Sequence, residues 1–248
     1  MKLFADAFLG IAVAAGALGA PPRGASVTRA QAVAVAAADV PPEQFHVAYA
    51  NGNATDVWIT WLRPGAGLAS SHPRCVSPDG AFAPAAAVVK TYTDANVSSG
   101  CRSDWEHAPE GASWRHPCVP WSGLIMTARL TALAPNKVVR YSCGDDAAAG
   151  GMGSEMNFTS APEVGESSTV FSFYGDQGTR RADPRYLGAA LVRDAILADS
   201  SVRFALLGGD VAYANGNQTV WDVYGRAQEA LFSHIPTLFT PGNHDGEL

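Results

Sequence analysis

The chain has 248 residues, of which 47% are hydrophobic and 16% are charged. This composition excludes a disordered protein, because it supplies enough apolar side chains for one large core or two modest ones. The formal net charge is −6 at pH 7, and Lys and Arg are scattered along the chain. We therefore expect no nucleic-acid partner, since binding a phosphate backbone requires a basic surface.

The N-terminal segment has the features of a secretory leader. A mostly apolar run from Ala7 to Ala20 follows a basic N-terminus and ends before a pair of prolines. We interpret residues 1–20 as a signal peptide, with an Ala-rich disordered leader as the alternative. Residues 21–39 are an Ala-rich linker. The run is too short to cross a bilayer and no later stretch reaches about 20 apolar residues, so no membrane partner is expected.

Glycosylation sequons and cysteines also favour the secretory route, to an extracellular or vacuolar location. Four Asn-x-Ser/Thr sequons occur, at Asn53, Asn96, Asn157 and Asn217. The four cysteines lack the CxxC spacing of zinc and redox sites, and they are Cys75, Cys101, Cys118 and Cys143. We expect two disulfides among them, in a pairing that the sequence does not choose, with buried free thiols as the alternative.

Residues 40–162 are predicted to form an all-β domain. Segments rich in β-branched and aromatic residues alternate with Gly, Pro and Asn, and they are Gln44–Tyr49, Asp56–Leu62, Ala86–Thr93, Leu124–Leu130, Val138–Cys143 and Glu155–Thr159. Such a series is typical of a β-sandwich. Leu133, Pro135 and Tyr141 resemble the tyrosine corner of fibronectin type III domains, with Trp61 as the core tryptophan. They would equally serve as core residues of another sandwich.

The pattern changes near Thr169 to alternating strands and helices. Continuous apolar strands are predicted at Val170–Tyr174, Arg203–Leu207 and Ile235–Thr240. One helix between them begins at Asp183, which can cap it, with Pro184 in its first turn, and another runs from Val220 to Phe232. This order predicts βαβ organisation with parallel strands.

Each of these strands ends in a polar cluster that contains glycine. The clusters read Gly-Asp-Gln-Gly from Gly175, Gly-Asp-Val-Ala-Tyr from Gly209, and Gly-Asn-His-Asp from Gly242. Because the carboxyl ends of parallel strands meet at one edge of a sheet, we expect the clusters to form one site. Carboxylate, phenol, amide and imidazole groups suit Fe(III) and divalent ions better than a thiolate-type metal. Any one of these residues alone would more often be a cap, turn or core residue.

In this order and spacing, the clusters resemble the GDxG, GDxxY and GNH-acidic blocks of the purple acid phosphatases, which belong to the metallophosphoesterase superfamily. The resemblance covers about residues 40–248. It implies a fibronectin type III-like β-sandwich over residues 40–162 and the first part of an α/β metallophosphoesterase domain over residues 163–248.

The resemblance also implies a binuclear metal centre. Asp176 and Tyr213 would bind Fe(III), and Asp210 would bridge it to a divalent ion, which is Zn, Mn or Fe. Asn243 would bind the divalent ion. His244 would act on the phosphate as a catalytic residue without binding a metal. Such a centre hydrolyses small phosphate monoesters at acidic pH.

Further histidine ligands come in that family from VxxH and GHxH blocks, and neither block occurs in this chain. We therefore expect an incomplete enzyme that is inactive alone. The alternative is a non-catalytic secreted module, for binding or adhesion, with a remnant metal site. The remaining histidines match no ligand position and are interpreted as surface or core residues; they are His46, His72, His107, His116 and His234.

Overall fold

The computed structural model describes residues 40–50, 53–65, 70–91, 123–147, 151–166, 168–178, 188–214 and 218–245, with the backbone alone at 53, 54, 218 and 219. The predicted leader and linker lie outside these residues, as do Asn96, Cys101, Cys118, Asp183 and Asn217. No helix among the described residues is long and apolar enough to cross a membrane.

Antiparallel strands form the first part of the chain. They are β1 (Glu43–Ala50), β2 (Asn53–Pro64), β3 (Pro73–Val76), β4 (Ala85–Lys90), β5 (Gly123–Leu130), β6 (Val138–Asp145) and β7 (Met156–Thr159). Their hydrogen-bonded order is β1-β2-β5-β4-β3-β6-β7. Strand β4 connects the two halves, because its first residues pair with β3 and its later residues pair with β5.

The two halves pack against each other through a shared apolar core. Trp61 and Ile59 of β2 are fully buried with Tyr141 of β6 and Phe158 of β7. The predicted β-sandwich-like domain is therefore confirmed, with all six predicted strands present. Strand β3 was not predicted, because its four residues, Pro-Arg-Cys-Val, are too few to show an alternating pattern.

Strands β3 and β6 are joined by a disulfide. Cys75 and Cys143 are directly paired in the register, and their Cα atoms are 4.1 Å apart. One of the two expected disulfides is therefore present. The other two cysteines, Cys101 and Cys118, lie outside the described residues.

The second part of the chain is a parallel α/β unit. It comprises β8 (Val170–Tyr174), α1 (Gly188–Ala198), β9 (Val202–Gly208), α2 (Gln218–Phe232) and β10 (Thr237–Thr240). The strands are parallel, in the order β10-β9-β8. Leu207, Tyr224, Leu231 and Phe239 are buried between the sheet and the helices. The βαβ organisation expected from the apolar runs is present in these residues.

Strand β1 packs against helix α2 and strand β10, and we call this contact the domain interface. His46 of β1 is buried there, with Nε2 2.9 Å from the Thr237 carbonyl oxygen. The amide N–H of Gln44 donates to Glu229 Oε2 (2.9 Å), and its side chain donates to Asp222 Oδ1 (3.1 Å). Backbone and side-chain hydrogen bonds therefore hold the two parts of the chain together.

Tyr141 of β6 also connects the two domains. Tyr141 and Leu133 are buried as predicted, but the Tyr141 hydroxyl donates to the carbonyl oxygen of Ser233, 2.8 Å away and 92 residues later in the chain. A tyrosine corner would bond to backbone a few residues upstream in its own domain. The predicted corner is wrong in this respect, because the hydroxyl is used between the domains.

Tyr141→Phe is expected to lower the free energy of unfolding by about 1 kcal/mol, since it leaves the buried Ser233 carbonyl without this donor. Tyr49→Phe is the matched control, because the buried Tyr49 hydroxyl has no hydrogen-bond partner among the described residues. Urea denaturation of both variants measures the difference. Equal midpoints for the two would contradict the assigned role of the Tyr141 hydroxyl.

Candidate metal centre

The three polar clusters lie together at the carboxyl ends of β8, β9 and β10. Backbone pairing continues beyond the first two strands into their loops. The amide N–H of Asp176 donates to the Gly209 carbonyl (3.1 Å), and that of Gly178 donates to the Val211 carbonyl (2.8 Å). The loop after β8 and the loop after β9 therefore keep a fixed separation, as predicted from the parallel order of the strands.

Three of the predicted ligands have a left-handed backbone conformation. The φ angles are 53° at Asp176, 48° at Asp210 and 53° at Tyr213. A residue other than glycine usually loses about 1 kcal/mol in this conformation. The surrounding hydrogen bonds hold the backbone there, and strain of this kind is common where side chains are directed into a functional site.

The Tyr213 phenol connects the two aspartates. Its hydroxyl donates to Asp176 Oδ1 at 2.8 Å, and it also forms a side-chain hydrogen bond with Asp210. The hydrogen bond to Asp176 is the main reason that the pKa of Tyr213 is raised, and burial and the two negative charges raise it further. Two carboxylates and a phenol therefore share one small volume, and a bound cation would replace the phenol proton.

The loop after β10 reaches the same aspartate. The backbone N–H of His244 donates to Asp210 Oδ1 at 3.0 Å. The His244 ring stacks on the Tyr213 ring, with centroids 4.7 Å apart and an interplanar angle of 25°. Asn243 is exposed in the same turn. Asp210 thus lies in the middle of the site, in contact with residues of both neighbouring loops.

Two glycines permit this packing. A Cβ atom at Gly242 would lie 2.1 Å from Asp210 Oδ1, which is far inside van der Waals contact. A Cβ atom at Gly178, where φ is 56°, would lie 3.0 Å from Cδ2 of Tyr213. The sequence motifs require these glycines because larger residues would occupy the space of the predicted ligands.

Asp245 has a role that the sequence prediction did not assign. Its carboxylate accepts hydrogen bonds from the backbone N–H groups of Val211 (2.8 Å), Ala212 (3.1 Å) and Gly242 (2.9 Å). The acidic residue after Gly-Asn-His was visible in the sequence, but its hydrogen-bonding partners were not.

Gln177 is the second residue that was missed. Its side chain is buried, donates to the Ala189 carbonyl of α1 (3.3 Å) and accepts a hydrogen bond from the Tyr224 hydroxyl of α2. It therefore connects the loop that carries Asp176 to both helices. No feature of the sequence distinguishes this glutamine from a surface residue.

The donor set of the site suits a hard cation. Carboxylate and phenol oxygens are preferred by Fe(III), whereas thiolate sites select softer metals. Among the described residues, no three His, Cys, Asp or Glu side chains converge as a ready metal site. The residues present fit an ion held by Asp176, Asp210 and Tyr213, since those side chains already contact one another.

The described residues therefore form two structural units. A β-sandwich-like domain is followed by a parallel α/β unit that has an oxygen-rich polar site at its strand ends. The family model for the purple acid phosphatase N-terminal domain matches residues 42–160. This part of the chain belongs to that domain family, which confirms the resemblance noted in the sequence.

Curated relatives from Arabidopsis thaliana support the same conclusion. Purple acid phosphatase 21 is 33% identical over 126 residues, which are 51% of this chain and 25% of the relative. Probable inactive purple acid phosphatase 27 is 30% identical over 142 residues, which are 53% of this chain and 22% of the relative. The match therefore spans about a quarter of the length of these relatives.

A solved structure has a similar fold. The purple acid phosphatase PPD1 from yellow lupin (Lupinus luteus) seeds superposes with a TM-score of 0.64 at 24% identity, over 83% of this chain and 36% of the lupin chain. At this identity, the likeness concerns the fold alone.

Proposed function

We propose that this protein provides part of a purple acid phosphatase-like centre for the hydrolysis of small phosphate monoesters. In this proposal Asp176 and Tyr213 hold Fe(III), Asp210 bridges it to a divalent Zn, Mn or Fe ion, and Asn243 binds the divalent ion. The observation that carries the proposal is the contact of the Tyr213 phenol with both aspartates. Two carboxylates and a phenol together are a suitable ligand set for a trivalent ion.

The domain assignment is part of the same proposal. Residues 40–162 are a fibronectin type III-like sandwich, and residues 163–248 begin a metallophosphoesterase domain. The buried Trp61 in the sandwich core and the parallel order of β8, β9 and β10 support this division.

The metal pair, when bound, supplies Lewis acidity that activates water and neutralises the charge of the phosphate. The chain's own residues orient that chemistry. Asp210 is fixed at the centre by the N–H of His244, and the His244 ring is held flat against Tyr213. An imidazole N–H in this place would donate its proton to the leaving oxygen of the ester, as general acid catalysis requires.

We also propose a secreted or vacuolar location. The Cys75–Cys143 disulfide favours an oxidising compartment. Of the sequons, Asn157 lies exposed on strand β7, where a glycan would meet no steric obstacle from the sheet's buried face. The proposed partner is a small phosphate ester, and neither nucleic acid nor membrane is included.

Titration of the full chain with Fe(III) tests the proposed site. We expect a visible charge-transfer absorption, because a tyrosine phenolate bound to Fe(III) produces the purple colour of the family. Tyr213→Phe should remove this absorption and leave the fold intact, and Asp210→Asn should lower the amount of bound iron. Tyr49→Phe is the matched control, since Tyr49 lies in β1, outside the site. An undiminished band in Tyr213→Phe would refute Tyr213 as a ligand.

A non-catalytic module is the second candidate function. Several relatives of the same region are named as inactive phosphatases, among them Probable inactive purple acid phosphatase 27 and Probable inactive purple acid phosphatase 1. A protein that carries this chain together with VxxH and GHxH blocks should be assayed with a chromogenic phosphate monoester near pH 5. Turnover that Asp210→Asn abolishes favours the enzyme, whereas iron binding without turnover favours the non-catalytic module.

A further inference from the structure

Asp245 and Asp210 lie in different loops, and each accepts hydrogen bonds from backbone amides of the other's loop. Asp245, in the loop after β10, accepts hydrogen bonds from the amides of Val211 and Ala212 in the loop after β9. Asp210, in the loop after β9, accepts one from the amide of His244 in the loop after β10. The two loops that carry most of the proposed ligands are therefore joined by reciprocal carboxylate–amide bonds.

The amides that Asp245 satisfies are buried. Val211 is 2% exposed and Ala212 is fully buried, so water cannot readily replace the carboxylate as their acceptor. These two residues lie directly between Asp210 and Tyr213 in the sequence. Hydrogen bonds from backbone amides to an ionised carboxylate are stronger than those to neutral acceptors. Asp245 therefore fixes the part of the backbone that sets the separation of two proposed ligands.

Binding of a cation would change the hydrogen bonds of Asp210 but not those of Asp245. A cation at Asp210 would compete with the His244 amide for the same carboxylate. Both oxygens of Asp245 are instead directed at backbone amides, since Oδ2 also accepts from Gly242 at 2.9 Å.

We propose that Asp245 is a positioning residue that clamps the loop of Asp210 and Tyr213 to the loop of Asn243 and His244. It acts through the backbone and binds no ligand itself. The identity of the bound ion rests on the function proposed above, but the clamp does not depend on it.

Asp245→Asn in the full chain tests the clamp, because an amide nitrogen cannot accept a hydrogen bond and one set of contacts is lost at constant size. We expect Fe(III) affinity to fall about tenfold, which is the usual effect of removing a residue that orients metal ligands. We also expect the visible absorption maximum of the bound iron to move. Asp245→Glu, which keeps the carboxylate, should restore part of the affinity. Asp194→Asn, at an exposed position of α1, is the matched control.

Hydrogen exchange of the metal-free protein gives a readout that does not need iron. In Asp245→Asn, whichever of the Val211 and Ala212 amides loses its acceptor should exchange faster, because the two amides donate to different oxygens of Asp245. Amides in β2 of the sandwich should not change. If the wild type develops no visible absorption with Fe(III), the proposed function fails, and the exchange data still decide on the clamp. Unchanged exchange at both amides would overturn the clamp. A loss of protection throughout the protein, together with an unchanged absorption maximum of the bound iron, would also overturn it.

Discussion

Gly242→Ala is expected to weaken Fe(III) binding by the candidate site strongly. The new Cβ atom would lie 2.1 Å from Asp210 Oδ1 and 2.2 Å from the Asp210 backbone nitrogen, so a change of side-chain rotamer cannot relieve the clash. Asp210 cannot retreat easily, because its φ of 48° is maintained by the pairing of its loop with the loop after β8. The loop after β10 must therefore move, and His244 and Asp245 would move with it.

We expect the affinity for Fe(III) to fall at least about 100-fold, which is the upper end of the effect of disturbing residues around metal ligands. The free energy of unfolding should fall by about 2 kcal/mol, as is usual when atoms are forced into a packed site. Fe(III) titration followed by visible absorption, together with urea denaturation, measures both quantities.

Gly188→Ala is the matched control for this substitution. A Cβ atom at Gly188, the first residue of α1, would meet no heavy atom of the described residues within 4 Å. The variant should bind Fe(III) normally and change stability by less than about 1 kcal/mol. If Gly242→Ala bound iron as tightly as this control, the close approach of Gly242 to Asp210 would have no functional meaning.

Local patterns in the sequence were sufficient to predict most of the fold. Alternation and β-branched content identified β1 and β2, and the continuous apolar runs identified β8 and β9. The run in β8 did not correspond to burial, since Val170, Phe171 and Phe173 are exposed among the described residues. The convergence of the polar clusters followed from the parallel order of the strands. These features depend on short stretches of chain and on general rules of sheet topology.

Features that depend on distant contacts could not be predicted. Asp222 and Gln228 are polar residues of α2, yet both are buried in the structure. Asp222 accepts a hydrogen bond from Gln44 of β1, and Gln228 donates to the Ala189 carbonyl of α1 (3.4 Å). The bond from Tyr141 to Ser233 joins residues of different domains. The left-handed conformation of Asp210 is likewise imposed by neighbouring loops and not by its own preference.

The domain interface contains two buried groups that respond to pH in opposite directions. Burial raises the pKa of Asp222 from 3.8 to about 7, although the hydrogen bond from Gln44 and the charge of Arg226 lower it and Glu43 raises it further. Arg226 compensates Asp222 only weakly, since its distance to Asp222 is 3.5 Å and its distance to Glu43 is 2.6 Å. Burial lowers the pKa of His46 from 6.5 to about 4, against the effect of its hydrogen bond to the Thr237 carbonyl.

The signs follow from which state of the protein holds the proton. Between about pH 4 and pH 7, folded Asp222 keeps a proton that the unfolded chain releases, so its contribution to stability is lost as the pH rises. Between about pH 4 and pH 6.5, folded His46 lacks a proton that the unfolded chain holds, so its contribution increases as the pH rises. Each slope is at most about 1.4 kcal/mol per pH unit. Glu229, whose pKa is also raised mainly by burial, adds to the slope of Asp222 at the acidic end.

Because the two slopes oppose each other, the free energy of unfolding of the wild type should change little between about pH 4.5 and pH 6.5. Asp222→Asn keeps an acceptor for Gln44 and removes the titration of Asp222, so that the slope of His46 is no longer opposed. The free energy of unfolding of this variant should therefore rise by about 2 kcal/mol from about pH 4.5 to pH 6.5. His46→Gln keeps a donor for the Thr237 carbonyl, and its stability should fall by about the same amount. Urea denaturation of both variants at a series of pH values, beside Asp194→Asn as an exposed control, measures the slopes. If both variants gave curves parallel to that of the wild type, neither group would titrate differently in the folded and unfolded states. The stability of the domain interface would then not depend on the acidic pH at which the proposed enzyme would work.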